Sequence, residues 1–213
     1  MAESTFVRAR RPEHKQQRRD AILAAARELA IESGVRNVSL GSVAATVGLA
    51  KSNVVRYFGT REEIYLELAT ECWREWADEV TRRLGDGADV IDTLAETLAD
   101  RPLFCDLLGH TSTTLEHNAS VPAAAEFKRG VLGVVAALGS VVAERLELTE
   151  QEGIELVGLA TVLASMLYPA ANPPPVLVEV YAQNPDLAAA CLPFASTLKR
   201  GLAALAAGLP TLR

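Results

Sequence analysis

Hydrophobic positions recur at intervals of three and four residues along most of the chain, which is the spacing of one face of an α-helix. No segment keeps the strict alternation of a half-buried strand. The sequence therefore predicts an all-α protein, and only the segment 175–181 is left open between helix and irregular structure. The predicted helices cover residues 16–33, 39–48, 51–58, 60–84, 90–100, 103–118, 123–146, 150–167 and 194–207.

The segment VAATVGLAKSNVVRYF at residues 43–58 has the pattern of two short helices joined by a sharp turn. Gly48 sits between them, where the turn requires a left-handed backbone. If the apolar residues of both helices face inward, polar side chains of the second helix are left facing outward. Such side chains can pair with base edges and phosphates, so the second helix is predicted to read a major groove. The outward residues are Lys51, Ser52, Asn53 and Arg56.

Charge is distributed unevenly along the chain, whose formal net charge is -6. Residues 1–66 hold 11 Lys and Arg against 7 Asp and Glu, a net +4, whereas residues 67–213 hold 10 against 20, a net -10. A basic N-terminal part attached to an acidic remainder is expected when one end docks on DNA. Residues 1–15 are basic and poor in apolar residues, and we expect a flexible arm that either enters a minor groove or is simply a solvated tail.

Composition is that of an ordinary globular protein, with 49% hydrophobic and 23% charged residues. No apolar run is expected to reach the roughly 18 residues of a membrane span, and the N-terminus lacks the apolar core of a secretory signal. We therefore expect a cytoplasmic protein with no membrane partner. Its three cysteines have neither an even number nor a short metal-type spacing, so we expect free thiols.

Residues from about 18 to 66 resemble the DNA-binding domain of the tetracycline-repressor (TetR) family of transcriptional regulators. The resemblance rests on RRDAILAAARELAIESG, on SLGSVAATVGLAKSNVVRYF and on TREEI. It implies a three-helix, helix-turn-helix domain at residues 16–64 and a helical ligand-binding and dimerisation domain at residues 65–213. It also implies a repressor that binds a palindromic double-stranded operator as a dimer and is released by a small-molecule effector.

Individual DNA contacts also follow from this resemblance. Ser39, Tyr57 and Arg61 occupy positions that would hold phosphates. Asn53 stands where the family often has Thr, and Ser52 where it often has Gly. Val55 replaces a frequent Tyr, so a contact with a thymine methyl group is expected in place of a hydroxyl contact.

Two C-terminal segments are apolar nearly all round, which a helix that buries only one face does not require. They are EGIELVGLATVLASMLY at 152–168 and FASTLKRGLAALAAGL at 194–209. We expect them to form a four-helix interface with a second copy of the chain. The alternative is that they are core helices of a monomer.

The segment 102–118 combines apolar residues with polar residues spaced by four and three, which would place both on one face of a regular helix. This mixture suggests a pocket for a largely apolar effector, aromatic or lipid-like in chemistry, with no cofactor. The polar groups could instead be satisfied in the core or face solvent. The predicted lining is Trp73, Trp76, Phe104, Leu107, His110, Thr114, His117, Met166 and Tyr168.

Three alternative functions have weaker support in the sequence. A metal-responsive regulator could use Cys105, His110, Glu116 and His117, but the two histidines would lie about 10 Å apart along a regular helix. An enzyme is not expected, because phosphate loops and nucleophile elbows are missing from the sequence and Cys105 and His110 would lie about 140° apart around the helix. The third alternative is a helical small-molecule-binding protein without a DNA function.

Overall fold

The structure is a computed structural model that describes residues 4–213, with side chains from residue 13 onward. Its described part consists of helices and connecting turns without a strand, as the hydrophobic periodicity predicts. The α-helices are α1 (Ser4–Ser33), α2 (Leu40–Thr46), α3 (Lys51–Phe58), α4 (Arg61–Gly85), α5 (Val90–Ala99), α6 (Pro102–His110), α7 (Val121–Leu146), α8 (Glu150–Ala171), α9 (Pro175–Gln183) and α10 (Phe194–Gly208).

Helices α1 to α3 form a three-helix head whose ends are set by local signals. Gly34 has a φ of 82° and follows α1, and Gly48 has a φ of 65° in the turn between α2 and α3. The Ser39 hydroxyl accepts a hydrogen bond from the Ser42 N–H at 3.0 Å and caps α2. Thr60 caps α4 in the same way through the Glu63 N–H at 3.1 Å. These caps explain why the boundaries lie close to the predicted ones.

The expected flexible arm at residues 1–15 is replaced in part by helix. Helix α1 begins at Ser4, so the described backbone of this segment is helical rather than irregular. Residues 1–3 and the side chains of residues 1–12 lie outside the described part of the chain. The basic residues expected there are therefore represented by Lys15 alone.

The helix predicted over residues 103–118 does not continue as one regular helix. Helix α6 ends at His110, Thr111–Leu115 forms a π-helical turn, and Glu116–Asn118 forms a 3₁₀ turn. The Glu116 N–H bonds the Thr111 carbonyl, five residues back. The spacing of four and three was counted on a regular helix, so beyond His110 it no longer fixes by itself the face on which the side chains lie.

Helix α4 is the most deeply enclosed long helix and belongs to the head and the body at once. Its N-terminal half buries Ile64, Tyr65 and Leu68, and the Tyr65 hydroxyl lies 3.4 Å from the Ala26 carbonyl of α1. Further along, Trp76 is fully buried and donates to the Thr97 hydroxyl of α5 at 2.9 Å. One continuous hydrophobic core therefore runs from the head into the body.

In the body, α7 packs against α4 and α8, while α8 and α10 also pack against α6 and α5, respectively. Helix α9 buries none of its residues. Among the described residues, α8 is the one helix long and apolar enough to cross a membrane, with a mean hydropathy of 1.6 over 18 residues, of which 28% are buried. The expectation that no segment has the length and apolar composition of a membrane span is therefore wrong for α8. Core helices of globular proteins can have both properties too.

Two glycines let α7 and α8 approach closely. A Cβ added to Gly153 would lie 2.2 Å from the Gly139 carbonyl oxygen, and a Cβ added to Gly139 would lie 2.8 Å from the Ile154 backbone. Backbone atoms cannot rotate away as a flexible side chain can. The contact therefore requires glycine on both helices.

We predict that Gly139→Ala destabilises the protein by about 1–3 kcal/mol, because the added methyl group overpacks the contact with α8. The matched control is Gly133→Ala on the same helix, where an added Cβ would meet no atom within 4 Å. That substitution should be neutral or stabilise the helix by up to about 1 kcal/mol. Urea unfolding of both variants measures the difference, and equal stabilities would show that the close approach is not rigid.

Candidate nucleic-acid interface and effector cleft

The orientation of α3 is set by two buried side chains. Val54 is completely buried and Phe58 is 4% exposed, so both point into the head. The opposite face of α3 is therefore held towards solvent. The four residues predicted to face outward from this helix are exposed, namely Lys51, Ser52, Asn53 and Arg56. Val55, expected to contact a thymine methyl group, is exposed as well.

A cleft of about 520 Å³ between α1 and α3 extends this face. Lys15 and Arg18 of α1 line it together with Asn53, Arg56 and Tyr57 of α3. Its lining contains three basic side chains and no acidic one, so its potential attracts anions. The sequence prediction did not assign Lys15 or Arg18 to this surface, although their spacing by three residues puts them on one side of α1.

Two residues assigned to phosphate binding remain near this surface. Ser39 is exposed, and its hydroxyl oxygen caps α2 while lying 3.2 Å from the Ser42 hydroxyl. Tyr57 is half-buried, and its ring lines the basic cleft. Arg19 of α1 donates to the Tyr57 carbonyl, which ties the end of α3 to α1.

Arg61, predicted to bind a phosphate, has its side chain turned inward in the structure. Its side chain is only 17% exposed, and its guanidinium donates to the carbonyl oxygens of Val38, at 2.5 Å, and Val35. It also lies 4.8 Å from the centre of the Tyr65 ring and pairs with Glu62 at 3.1 Å. Arg61 thus ties the start of α4 to the turn between α1 and α2, and its expected phosphate contact stays a prediction.

Helix α6 holds the same turn from the other side. The Val35 N–H donates to the Asp106 carboxylate at 2.8 Å. His110 Nδ1 lies 3.3 Å from that carboxylate and 2.9 Å from the Asp106 carbonyl. Burial opposes ionisation of Asp106, but the hydrogen bonds from His110 and Val35 outweigh it and lower its pKa. The hydrogen bond to Asp106 raises the pKa of His110, against a smaller opposing effect of burial.

The predicted effector-binding residues are not brought together around one cavity. The rings of Trp73, Trp76 and Phe104 pack against one another with centroids 5.3–5.7 Å apart, and Leu107 is fully buried. These side chains contribute mainly to the core. Of the remaining polar positions, His110 is bonded to Asp106, Thr114 lies in the π-helical turn and His117 is exposed. Their role in binding an effector stays a prediction. Met166 is 70% exposed.

A cleft of about 510 Å³ opens instead where α1 meets α4, α6 and the end of α8. Of the predicted effector-binding residues, it contains Phe104 and Tyr168. It also contains Gly34 and Asp106, which flank the tie between the head and α6. Within residues that the structure describes, no group of three or more His, Cys, Asp and Glu side chains could hold a metal ion. The geometry thus offers no support for a metal sensor there.

Comparison with protein families settles the kind of protein. A family model described as "Bacterial regulatory proteins, tetR family" matches residues 22–68, and one described as "Tetracyclin repressor-like, C-terminal domain" matches residues 70–213. The chain belongs to the tetracycline-repressor family. This TetR-family protein is therefore a transcriptional regulator and not an enzyme, with a helix-turn-helix DNA-binding domain and a C-terminal ligand-binding domain.

Solved structures share the TetR-family fold at low sequence identity. FadR of Thermus thermophilus, a TetR-family repressor in complex with lauroyl-CoA, is 19% identical, with a TM-score of 0.52 over 70% of this chain and 82% of that one. FadR of Bacillus halodurans, a fatty acid degradation regulator, is 16% identical, with a TM-score of 0.53 over 88% and 93%. A TetR-family regulator from Streptomyces coelicolor is 19% identical, with a TM-score of 0.52 over 88% and 96%. No curated protein matches the sequence.

The position of Arg61 leads to a prediction that separates its two roles. Arg61→Ala should lower the free energy of unfolding by about 1–3 kcal/mol, because the Val35 and Val38 carbonyls lose their donor. Arg36→Ala, at an exposed position in the same turn, should change stability by less than about 0.5 kcal/mol. Urea unfolding of both variants makes the comparison. Unchanged stability of Arg61→Ala together with a weaker salt dependence of DNA binding would favour the phosphate role instead.

Proposed function

We propose that this regulator is a repressor that binds a palindromic operator as a homodimer and releases it when a small molecule binds. The observation that carries the proposal is the exposed polar face of α3 beside the basic cleft. Bacterial operator DNA lies in the cytoplasm, so the protein would act there. The steps of the proposal concern base reading, dimerisation and release.

Base reading is assigned to the outward face of α3. An Asn side chain can pair with adenine through two hydrogen bonds, and Arg or Lys can pair with guanine or with phosphate. Asn53 and Arg56 line the basic cleft and are exposed, whereas Val55, 42% exposed, offers an apolar contact to a thymine methyl group. Lys15 and Arg18 would neutralise phosphates flanking the groove, and Ser39 and Tyr57 would add hydroxyl contacts.

Dimerisation is assigned to α8 and α10. On α8, Val162 is 57% exposed and Met166 is 70% exposed, one helical turn apart, which leaves an apolar strip facing solvent in the single chain. The exposed face of α10 includes the small residues Ala203, Ala204 and Ala207. Small and apolar residues on two adjacent helices suit a four-helix interface between two copies. A two-fold dimer would present two α3 helices to half-sites about 34 Å apart, or a multiple of that distance.

Release would follow from a change in how the head sits on the body. The turn between α1 and α2, here called the Val35 turn, is hydrogen-bonded to Arg61 of α4 and to Asp106 of α6. A ligand that favours a different arrangement of α4 and α6 shifts the population towards states in which the two heads no longer match the half-sites. The ligand needs only to bind the two states with different affinity.

Base reading and phosphate contacts are separated by two substitutions. Asn53→Ala should reduce discrimination between the preferred operator and a mismatched one by about 1–3 kcal/mol. Arg18→Ala should weaken binding to both and reduce the slope of log affinity against log salt by about one. Binding titrations at several salt concentrations, on an operator selected from random duplex DNA, test both effects. Arg129→Ala, at an exposed position on α7, serves as the control.

Failure to select any palindrome would contradict the proposed operator. An Asn53→Ala variant with unchanged discrimination would contradict only the base-reading role of that residue. A loss of affinity in Arg129→Ala as large as that in Arg18→Ala would show that the effect depends on net charge and not on the cleft.

The dimer face is tested with Met166→Glu. Two carboxylates would be placed in an apolar interface, so the variant should be mainly monomeric under conditions where the wild-type protein is a dimer. Leu132→Glu is the matched control, since Leu132 is 65% exposed on α7 and lies outside the proposed face. Analytical ultracentrifugation measures the masses. A dimeric Met166→Glu variant, or dissociation by Leu132→Glu alone, would place the interface elsewhere.

A further inference from the structure

The cleft between head and body has one wall that is largely apolar. Ala30 and Ile31 of α1 face Leu103 and Phe104 of α6, with Tyr168 of α8 at the end. Ile31 is 68% exposed, which leaves a large aliphatic side chain at the rim of the cleft in contact with water. A volume of about 510 Å³ lies within the range of sites that bind drug-sized molecules. The wall and the volume suit an apolar ligand body.

Most charged groups that line this cleft already have partners of opposite charge. Arg27 is paired with Glu71 at 3.1 Å and with Glu75 at 2.8 Å. Asp106 accepts from Val35 and lies 3.3 Å from His110. Asp100, whose side chain is 65% exposed, lies 3.5 Å from Arg83. None of these groups therefore offers a free cation to a ligand.

Arg101 differs from the other charged groups of the cleft. It is half-buried, and its Nη1 atom donates to the Thr97 carbonyl at 2.9 Å. Across the described side chains, from residue 13 onward, no carboxylate lies within 4.0 Å of its guanidinium nitrogens. A guanidinium has five N–H donors in a planar arrangement that fits a carboxylate or a sulfonate. The cleft thus combines an apolar wall with a cation whose remaining N–H donors can bind a ligand.

We propose that the cleft binds an amphipathic organic anion, whose acidic group pairs with Arg101 while its apolar body covers Ile31, Leu103 and Tyr168. This assignment rests on the proposed function, because it makes the anion the effector that releases DNA. The location supports that role. Gly34 and Asp106 line the same cleft, and Asp106 holds the Val35 N–H of the head, so an occupant contacts the tie between the two parts.

Binding is tested first without DNA, with 8-anilinonaphthalene-1-sulfonate as a fluorescent probe that combines an aromatic body with a sulfonate. Arg101→Gln should weaken probe binding at least about tenfold, as expected for loss of a charged hydrogen-bonding partner. Ile31→Trp, which keeps the charge but fills the mouth, should weaken it similarly. Arg74→Gln is the matched control, because Arg74 is exposed on α4 and lines a separate groove with Glu67 and Glu71.

The charge preference is tested by displacement of the probe. Decanoate should displace it at a concentration at least tenfold lower than decylamine or 1-decanol, and this preference should disappear in Arg101→Gln. Equal displacement by the amine would overturn the assignment of an anion. Probe binding that is unchanged in both Arg101→Gln and Ile31→Trp, or lost in Arg74→Gln, would overturn the location.

The effector role is tested with the selected operator. Decanoate should weaken operator binding by at least about fivefold in the wild-type protein and by less than twofold in Arg101→Gln. Displacement of the probe without any change in operator affinity would overturn the effector role. If no operator can be selected, the proposed function fails. The probe titrations contain no DNA, so they would still test the binding site independently.

Discussion

Burial of α4 by both halves of the chain is the constraint on which the rest of the structure depends. Its first turns complete the core of the head through Tyr65, and its later turns anchor the body through Trp76. A helix that buries side chains from its first turns to its last cannot easily move at one end without repacking at the other, because protein interiors are closely packed. The DNA-binding surface and the ligand-binding domain are therefore mechanically connected by one rigid element.

Polar ties determine how the head is held against this helix. Arg27 joins α1 to two carboxylates of α4, while Arg61 and Asp106 hold the Val35 turn from α4 and α6. Hydrogen bonds to charged groups contribute about 1.5–3 kcal/mol each. A handful of such bonds holds one arrangement firmly, yet a ligand with a modest difference in affinity can offset it. The cleft proposed to bind an anion lies directly beside these hydrogen bonds. Its occupancy is therefore expected to change the affinity for DNA.

Helix α8 has apolar residues both on a side buried within the chain and on a side that faces solvent. Glycines at positions 139 and 153 bring α7 and α8 into backbone contact, which buries one side of α8. Its other side retains Val162 and Met166 in solvent. A helix that is apolar on both sides gains its remaining burial only by pairing with another surface. Helix α8 is long and apolar enough for a membrane span. An interface between two copies explains its hydropathy equally well.

The sequence by itself determined the elements whose signals are local. Periodicity, the Ser39 and Thr60 caps and the glycines after α1 and α2 specify the all-α fold, the bounds of α3 and its outward polar face. Only the tertiary structure decided what depends on residues distant in sequence. The spacing of residues 102–118 predicted one regular helix, but the helix type changes after His110. Arg61 turned inward because carbonyls of the turn between α1 and α2 lay within reach. The cleft around Arg101 could not be predicted either, since its walls come from four helices that meet only in the folded chain.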